Sequence, residues 1–365
     1  MDRRHCLALA GSAALGGLVQ PLHVAARSPN DAPFGAVLAA RPDFNGTVAV
    51  GRGGIVFARA LGLAEPQLGT PMGLNTRFES GSISKWIASM VVLKLVDLGR
   101  LALDEPVARR LADYRADNGG RLTLRHLLSH GSGVPNGLLA ARRADPQVAY
   151  IELDQMEAVR RYASGDLRFD PGAAWDYSHS NWLIVKAIVE RVAGRAYRDC
   201  VQDWLVEPLG LRDSGVFSGE SSRVPGMAVA YAGLAPPMVR RVSAVPGHSA
   251  MAGGFYSSAP DMLRLMDAVL GGHVLSLASR AELMRVVRPR QHYALGGRTR
   301  IEKIGGKLRE AAWEDGSNGG FRMVARRVLA DGASVVVCNN TSYDHQKLGQ
   351  LASALMEALY GSRPA

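Results

Sequence analysis

The feature that most constrains this chain is an apolar run that begins directly after a serine–lysine tetrad. In residues 83–98 the apolar side chains recur at helical rather than alternating spacing, and Gly99 follows as a helix stop. The pattern predicts a helix that begins at or just after Ser82. Ser82 and Lys85 then lie at i and i+3 on one face, at an N-terminus whose free N–H groups favour negative charge.

This arrangement has a chemical and a structural interpretation. A lysine that is partly desolvated loses its proton near neutral pH, so Lys85 would accept the Ser82 proton and let the oxygen attack a carbonyl. Ser-x-x-Lys also occurs in ordinary helices, where the serine is an N-cap and the lysine is solvated. The tetrad alone leaves both interpretations open.

The composition is typical of a globular enzyme. Of the 365 residues, 47% are hydrophobic and 41 are glycine, enough for one large domain or two smaller ones. The formal net charge is +10, but the arginines are mostly scattered in pairs and no nucleic-acid-binding motif accompanies them. We interpret the richest basic stretch, residues 280–309, as a solvated face attracted to an anionic envelope, and we expect no nucleic-acid partner.

The first 26 residues have the pattern of an export signal. Arg3 and Arg4 precede an apolar segment, residues 6–19, that is too short to span a bilayer, and small residues at 24–26 provide a cleavage point before Arg27. The arginine pair resembles a twin-arginine signal, although the usual Ser or Thr before it and Phe after it are missing. We expect a periplasmic or secreted protein that is not integral to the membrane once processed.

Cysteines and histidines leave further alternatives open. Cys200 and Cys338 are the only thiols after position 27, and they either pair in an oxidising compartment or stay buried and free. His126 and His130 have the i, i+4 spacing of metal ligands, but no third ligand is evident near them. We interpret both as structural histidines and expect no metal and no other cofactor.

Other segments predict a mixture of helices and strands. A β-hairpin is expected at 46–60, and strands are expected at 321–325 and 333–338. Segment 122–133 predicts a short helix that ends in a glycine-rich turn, and further helices are expected at 183–192, at 258–269 with Ser258 or Asp261 as its cap, and at 345–359. Tyr177 lies on the loop before the helix at 183–192. It is either a proton shuttle in a cleft or a buried tyrosine whose hydroxyl is paired.

Five motifs in a fixed order resemble those of a known enzyme family. They are Gly-Ser-x-Ser-Lys at 81–85, Leu-Arg-His-Leu-Leu-Ser-His-x-Ser-Gly at 124–133, Pro-Gly-x-x-Trp-x-Tyr-Ser at 171–178, Ala-Gly-Gly-Phe-Tyr-Ser at 252–257 and Gly-Ser-Asn-Gly-Gly-Phe at 316–321. This order resembles the β-lactamase-related serine hydrolases, within them the penicillin-binding-protein-like branch of class C β-lactamases, DD-peptidases and D-aminopeptidases. The resemblance covers nearly all of the chain after the signal, and we expect one such domain at residues 40–360.

The resemblance implies roles and a fold. Ser82 would be the acylated nucleophile, Lys85 its activating partner, and Tyr177 the group that passes the proton to the leaving group. The backbone N–H groups of Ser82 and of Ser317, which follows Gly316 in the fifth motif, would form the oxyanion hole. The implied fold is α+β: an antiparallel sheet flanked by helices and built from both chain ends, plus a mostly helical subdomain, with the active site at their junction.

Two departures affect the expected substrate. Where the family pattern is Tyr-x-Asn, the third residue is His179, and the next amide is Asn181. We expect both side chains to bind the substrate, together with Glu314 and the oxyanion residues Gly316 and Ser317. Where the family has a cation that holds a substrate carboxylate, this chain has Glu314, which would repel a carboxylate if it faced the substrate. Glu314 would alternatively pair with one of three nearby bases, Lys307, Arg309 or Arg322, of which Arg322 is also a candidate replacement for the missing cation.

We therefore expect an exported serine hydrolase that forms an acyl-enzyme on Ser82 and hydrolyses an amide or ester, as β-lactamases and D-alanyl carboxypeptidases do. Its partner is a small-molecule or peptide substrate such as a β-lactam, a D-amino-acid peptide or an ester. A carboxylesterase or D-amino-acid amidase of the same fold is one alternative. A non-catalytic descendant that binds a cell-wall peptide is another, supported only by the changes at His179 and Glu314. The oligomeric state is left open.

The signal pattern gives a direct prediction. Protein isolated from its native host should begin near Arg27 and lie outside the cytoplasm, because the charged, apolar and small-residue zones end there. N-terminal sequencing of the isolated protein tests this. A soluble cytoplasmic protein that retains Met1 would contradict it.

Overall fold

The computed structural model describes residues 31–361. Its helices are α1 (Ala32–Ala39), α2 (Ile83–Asp97), α3 (Ala116–Gly119), α4 (Leu124–Leu128), α5 (Gly137–Ala144), α6 (Gln155–Ala163), α7 (Ser180–Ala193), α8 (Tyr197–Val201), α9 (Ala250–Gly253), α10 (Ala259–Gly271), α11 (Leu277–Met284) and α12 (His345–Gly361). Its strands are β1 (Gly46–Arg52), β2 (Ile55–Leu61), β3 (Leu63–Glu65), β4 (Thr70–Pro71), β5 (Phe78–Glu79), β6 (Gly215–Val216), β7 (Gly219–Glu220), β8 (Ala244–Val245), β9 (Phe255–Ser257), β10 (Arg298–Ile304), β11 (Lys307–Asn318), β12 (Phe321–Val328) and β13 (Ala333–Asn339).

Six strands form an antiparallel sheet from both ends of the described chain. Their order is β10-β11-β12-β13-β1-β2, so the N-terminal hairpin completes a sheet begun by the C-terminal strands. Because side chains alternate along a strand, Val337 packs in the layer of α1 and α12 while Val336 packs in the layer of α2 and α10. Both faces of the sheet are therefore buried.

Helix α2 lies at the centre of the second layer. Its side chains are buried almost continuously from Ile83 to Leu95, because α7, α9, α11 and β11 surround it. Gly99, with φ +67°, follows its end. The prediction of a helix that begins just after Ser82 and stops at Gly99 is confirmed.

The α+β fold expected from the motifs is also confirmed. Helices α3 to α8 occupy the chain between α2 and β6. The β1–β2 hairpin, α7, α10, α12, β12 and β13 lie where the sequence placed them, and Ser258 rather than Asp261 caps α10, accepting the Asp261 N–H at 3.3 Å. The sequence did not predict β10 and β11, whose residues mix charged, small and glycine side chains.

The structure decides whether the two cysteines pair, which the sequence left open. Cys200 in α8 and Cys338 in β13 are both buried and free, so they do not pair with each other. Among residues 31–361, no helix combines the length and apolar character needed to cross a bilayer. The expected signal at 1–26 and the start at Arg27 lie outside the described residues.

Candidate active site

The hydroxyl of Ser82 lies at the start of α2 beside the amine of Lys85. Gly81, with φ +53°, turns the chain from β5 into the helix in a conformation that favours glycine. One turn further along, Lys85 Nζ lies 3.3 Å from Ser82 Oγ. The structure therefore brings the predicted pair within hydrogen-bond distance.

Lys85 is set up to lose its proton. Only 1% of its surface is exposed, and its Nζ donates a 2.6 Å hydrogen bond to the carbonyl of Ala252. Burial lowers the pKa of Lys85 to about 7, against the opposing effect of the Glu314 carboxylate. A sizeable fraction of the amine is thus uncharged at neutral pH and able to accept the serine proton.

The phenol of Tyr177 is the second group that forms a hydrogen bond with the Ser82 hydroxyl. Its O–H donates to Ser82 Oγ at 2.9 Å. Burial raises the pKa of Tyr177, so the phenol keeps its proton at neutral pH. Its ring stacks on His130 with the centroids 4.2 Å apart, which fixes its position. A protonated phenol held at this point is suited to donate to a leaving group.

His130 supports the tyrosine from behind. It is fully buried, and its Nδ1 accepts the Ser178 N–H at 3.1 Å. Burial holds the pKa of His130 well below its usual value, so the imidazole is neutral. In the part of the chain that the structure describes, which includes His126, no three His, Cys, Asp or Glu side chains are grouped to hold a metal ion.

Strand β11 passes so close to the start of α2 that no side chain would fit between them. A Cβ on Gly316 would lie 1.9 Å from the Ser80 carbonyl oxygen and 2.8 Å from the Ser82 nitrogen. A Cβ on Gly81 would lie 2.5 Å from the Ser317 nitrogen. The contact brings together the two backbone segments that the resemblance implies as an oxyanion hole.

His179 takes the position where the resemblance expected an asparagine. Asn136, the N-cap of α5, orders it: its amide nitrogen lies 3.2 Å from His179 Nδ1 and also donates to the Tyr177 carbonyl at 3.1 Å. Burial lowers the pKa of His179 to about 3, so the ring is neutral. Because Asn136 donates to Nδ1, the ring proton is on Nε2, and His179 offers the cleft an N–H as an amide would.

Asn181 does not have the substrate-binding position that the sequence suggested. Its side chain is fully buried, accepting from Ser132 Oγ at 2.7 Å and donating to the Leu127 carbonyl at 3.1 Å. The oxygen and the nitrogen of the amide both form hydrogen bonds inside the protein. Asn181 therefore joins α7 to α4 and the loop that follows α4, and it does not face the cleft.

Glu314 also differs from the expectation. It is 2% exposed and accepts a 2.6 Å hydrogen bond from Arg298 on the neighbouring strand β10, not from any of the three bases proposed from the sequence. Burial raises the pKa of Glu314, while the guanidinium of Arg298 opposes the rise and favours the ionised carboxylate. Arg322 donates to the carbonyls of Gly319 and Phe321, in its own hairpin, and does not replace the missing cation.

The reactive groups open onto a narrow cleft of about 60 Å³. Ser82, Lys85, Arg142, His179 and Ser317 are among the residues that line it, whereas neither Asn181 nor Glu314 does. Its small volume favours a substrate that presents a compact group to the serine.

Comparison with known proteins assigns the chain. The model of the Beta-lactamase family matches residues 36–359. The chain belongs to the β-lactamase family. Esterase EstB of Burkholderia gladioli is 31% identical over 90% of this chain and 94% of the esterase, and a D-aminopeptidase of Brucella anthropi is 28% identical over 47% of this chain and 33% of that enzyme. The D-amino acid amidase of Ochrobactrum anthropi superposes with a TM-score of 0.78 at 20% identity, covering 92% of this chain and all of the amidase, which supports the shared fold. This member of the β-lactamase family is a serine hydrolase.

Sequence reasoning missed three groups of this β-lactamase-family site. Asn136 comes three residues after the second motif, and its position before a helix is a signal for an N-cap but not for a contact with His179. The Ala252 carbonyl carries no sequence signal, since any residue has one. Arg298 becomes the partner of Glu314 only through the β10–β11 register, which opposes Arg298 to Trp313.

The pKa of Lys85 predicts the pH dependence of the reaction. With the neutral amine in the role of base that the resemblance implies, kcat/KM for a neutral ester should rise about ten-fold per pH unit up to about pH 7 and level off above it. Glu314→Gln removes the carboxylate that favours the charged amine, so the rising limb should remain and move to lower pH. A limb that disappears in Glu314→Gln would belong to Glu314 and would contradict the assignment.

Gly316 provides a test of the backbone contact. Gly316→Ala places a methyl group against the Ser80 carbonyl and must push β11 from α2, so kcat should fall on the order of 10²–10³-fold, as when one oxyanion donor is lost. Gly349→Ala, in the open on α12, is the matched control and should leave kcat unchanged. Equal kcat values for the two folded variants, checked by circular dichroism, would argue against an oxyanion role for β11.

Proposed function

We propose that this β-lactamase-family protein is an exported carboxylic ester hydrolase that forms an acyl-enzyme on Ser82. The observation that carries the proposal is the chain of contacts on the serine oxygen: Tyr177 O–H at 2.9 Å and Lys85 Nζ at 3.3 Å, with the lysine held by Ala252. One neighbour is able to take a proton from Oγ and the other to give one to a leaving group.

The acylation step follows from these contacts. Neutral Lys85 accepts the Ser82 proton as Oγ attacks the ester carbonyl, and the N–H groups of Ser82 and Ser317 stabilise the oxyanion. Collapse of the tetrahedral intermediate breaks the bond to the alcohol, which leaves with the Tyr177 proton. The phenolate is then neutralised by the proton held on Lys85, which restores both groups.

Deacylation repeats the sequence with water. Neutral Lys85 removes a proton from water, and the hydroxide attacks the acyl carbon. Ser82 Oγ leaves with the proton held on Lys85, which restores the serine and the neutral amine, and the acid is released. His179, neutral and donating through Nε2, holds an acceptor on the substrate in place of the family's asparagine.

The segment Glu314-Asp315-Gly316, which stands where the family has its cation, favours an ester over a penicillin or a terminal D-alanine. In this chain its first residue is a carboxylate that is buried and paired with Arg298, so the segment offers no free cation to a substrate carboxylate. The similarity to an esterase over nine-tenths of the chain supports the same choice. β-Lactam or D-alanyl hydrolysis, D-amino-acid amide hydrolysis and binding without turnover are the competing functions, and each gives a different result below.

Labelling and turnover test the proposal together. A fluorophosphonate should label the wild-type protein at Ser82 and leave Ser82→Ala unlabelled, while Ser84→Ala, two residues along the same helix, should still be labelled. The wild type should hydrolyse 4-nitrophenyl butyrate with a kcat/KM at least ten-fold above that for benzylpenicillin or D-phenylalanine amide, a gap of about 1.4 kcal/mol in transition-state binding.

Three results would oppose it. Labelling that persists in Ser82→Ala assigns the nucleophile elsewhere. Faster turnover of the penicillin or the amide assigns the corresponding family activity. A labelled protein that turns over none of the three substrates would support the binding protein instead.

A further inference from the structure

Arg142 is a cleft residue for which the mechanism above has no use. It lies on α5 and lines the cleft that contains Ser82. Its Nη2 donates to Ser249 Oγ at 3.0 Å, and its buried Nε has no hydrogen-bond partner. Arg143, the next residue on the same helix, is exposed and does not line the cleft.

No carboxylate among residues 31–361 forms an ion pair with this guanidinium. Burial lowers the pKa of Arg142, and Tyr162 alone acts in the opposite direction. A partly desolvated cation without a counter-ion is unfavourable, because the lost hydration is not replaced. The same cation is stabilised when an anion enters the cleft and accepts hydrogen bonds from its free N–H groups.

The other cations near Ser82 are already committed. Lys85 donates to the Ala252 carbonyl, and the mechanism requires its neutral form. Arg298 is paired with Glu314. Of the described residues that line the cleft, Arg142 is therefore the permanently charged one without a counter-ion.

The lining of the cleft places Arg142 relative to the two halves of the substrate. Arg142 lines the cleft together with Ser82, His179 and Ser249, whereas Tyr177 does not line it. Since Tyr177 gives its proton to the departing alcohol in the proposed mechanism, the cleft beside Arg142 is the half that receives the acyl group.

We propose that Arg142 binds a carboxylate at the far end of the substrate's acyl group, so that the enzyme hydrolyses short half-esters of dicarboxylic acids. This inference rests on the ester hydrolysis proposed above. The reaction consumes one water and releases an alcohol and the dicarboxylate. Because the cleft is narrow, about 60 Å³, the proposal concerns short acyl chains.

Matched pairs of aryl esters test this assignment. In 4-nitrophenyl hemiglutarate a carboxylate replaces the terminal methyl of 4-nitrophenyl valerate, and the hemisuccinate and butyrate form a shorter pair. The ratio of kcat/KM, anionic ester over neutral ester, should be ten or more in the wild type. The Ser82→Ala protein serves as the blank for spontaneous hydrolysis.

Three variants make the ratio specific to Arg142. Arg142→Gln should lower it at least ten-fold, Arg142→Lys should retain part of it, and Arg143→Gln, which changes the charge by the same amount on the same helix, should leave it at the wild-type value. If Arg142→Gln does not fold, the ratios measured for Arg142→Lys and for the wild type test the proposal instead. A wild-type ratio of one or less overturns the proposal.

A second ester pair separates the two ends of the substrate. The butyrate ester of 4-hydroxybenzoate carries the charge on its leaving group, and the ester of 4-hydroxybenzamide is its neutral match. An Arg142-dependent preference in this pair but not in the acyl pair would overturn the acyl-side assignment. If wild type and Arg142→Gln hydrolyse every ester with the same ratio of kcat/KM, anionic over neutral, the role of Arg142 is overturned but the esterase activity stands. If the wild type hydrolyses none of the esters, the result counts against the proposed function itself.

Discussion

The structure depends on the removal of one lysine side chain from water. Lys85 is located in a helix that is buried along most of its length, and the hydrogen bonds of its amine are to the serine hydroxyl and the Ala252 carbonyl. Two neutral contacts do not replace full hydration, so burial disfavours the charged amine and its pKa falls to about 7. The apolar run that forces α2 into the core is therefore also what lowers the pKa of Lys85 and suits it to the role of base that we propose.

The groups around Lys85 leave its pKa low because most of them are either neutral or paired with an opposite charge. His130 and His179 are neutral owing to burial, and Glu314 is paired with Arg298. A free carboxylate beside Lys85 would raise its pKa and hold the proton on the amine, whereas the ion pair limits that effect. Replacing the family's cation by Glu314 is thus compatible with a working base once Arg298 accompanies it.

Local sequence predicted the parts of the site that lie within one element or one motif. The Ser82–Lys85 pair follows from helical spacing alone, and Tyr177 and Ser317 follow from motifs whose order is shared with relatives. The positions of Asn181 and Glu314 could not be predicted, because each depends on partners far away in sequence, Ser132 for the first and Arg298 for the second. Strand register and helix packing determine which residues become partners, and neither could be predicted from the sequence of residues 298–318.

The serine side and the strand side of the site are tied together by a second buried carboxylate. Glu79 precedes the nucleophile motif at the end of β5, is 1% exposed, and accepts hydrogen bonds from Ser221, Ser243 and Asn318. Asn318 is the last residue of β11 and itself lines the cleft, so Glu79 joins the segment that presents Ser82 to the strand that presents Ser317. Burial raises the pKa of Glu79 to about 7, although these three donors oppose the rise. The ionised form accepts all three bonds without competition, and protonation removes one acceptor site. These hydrogen bonds therefore hold together the two backbone segments that we propose as the oxyanion hole, although burial disfavours the Glu79 charge more than the three donors favour it.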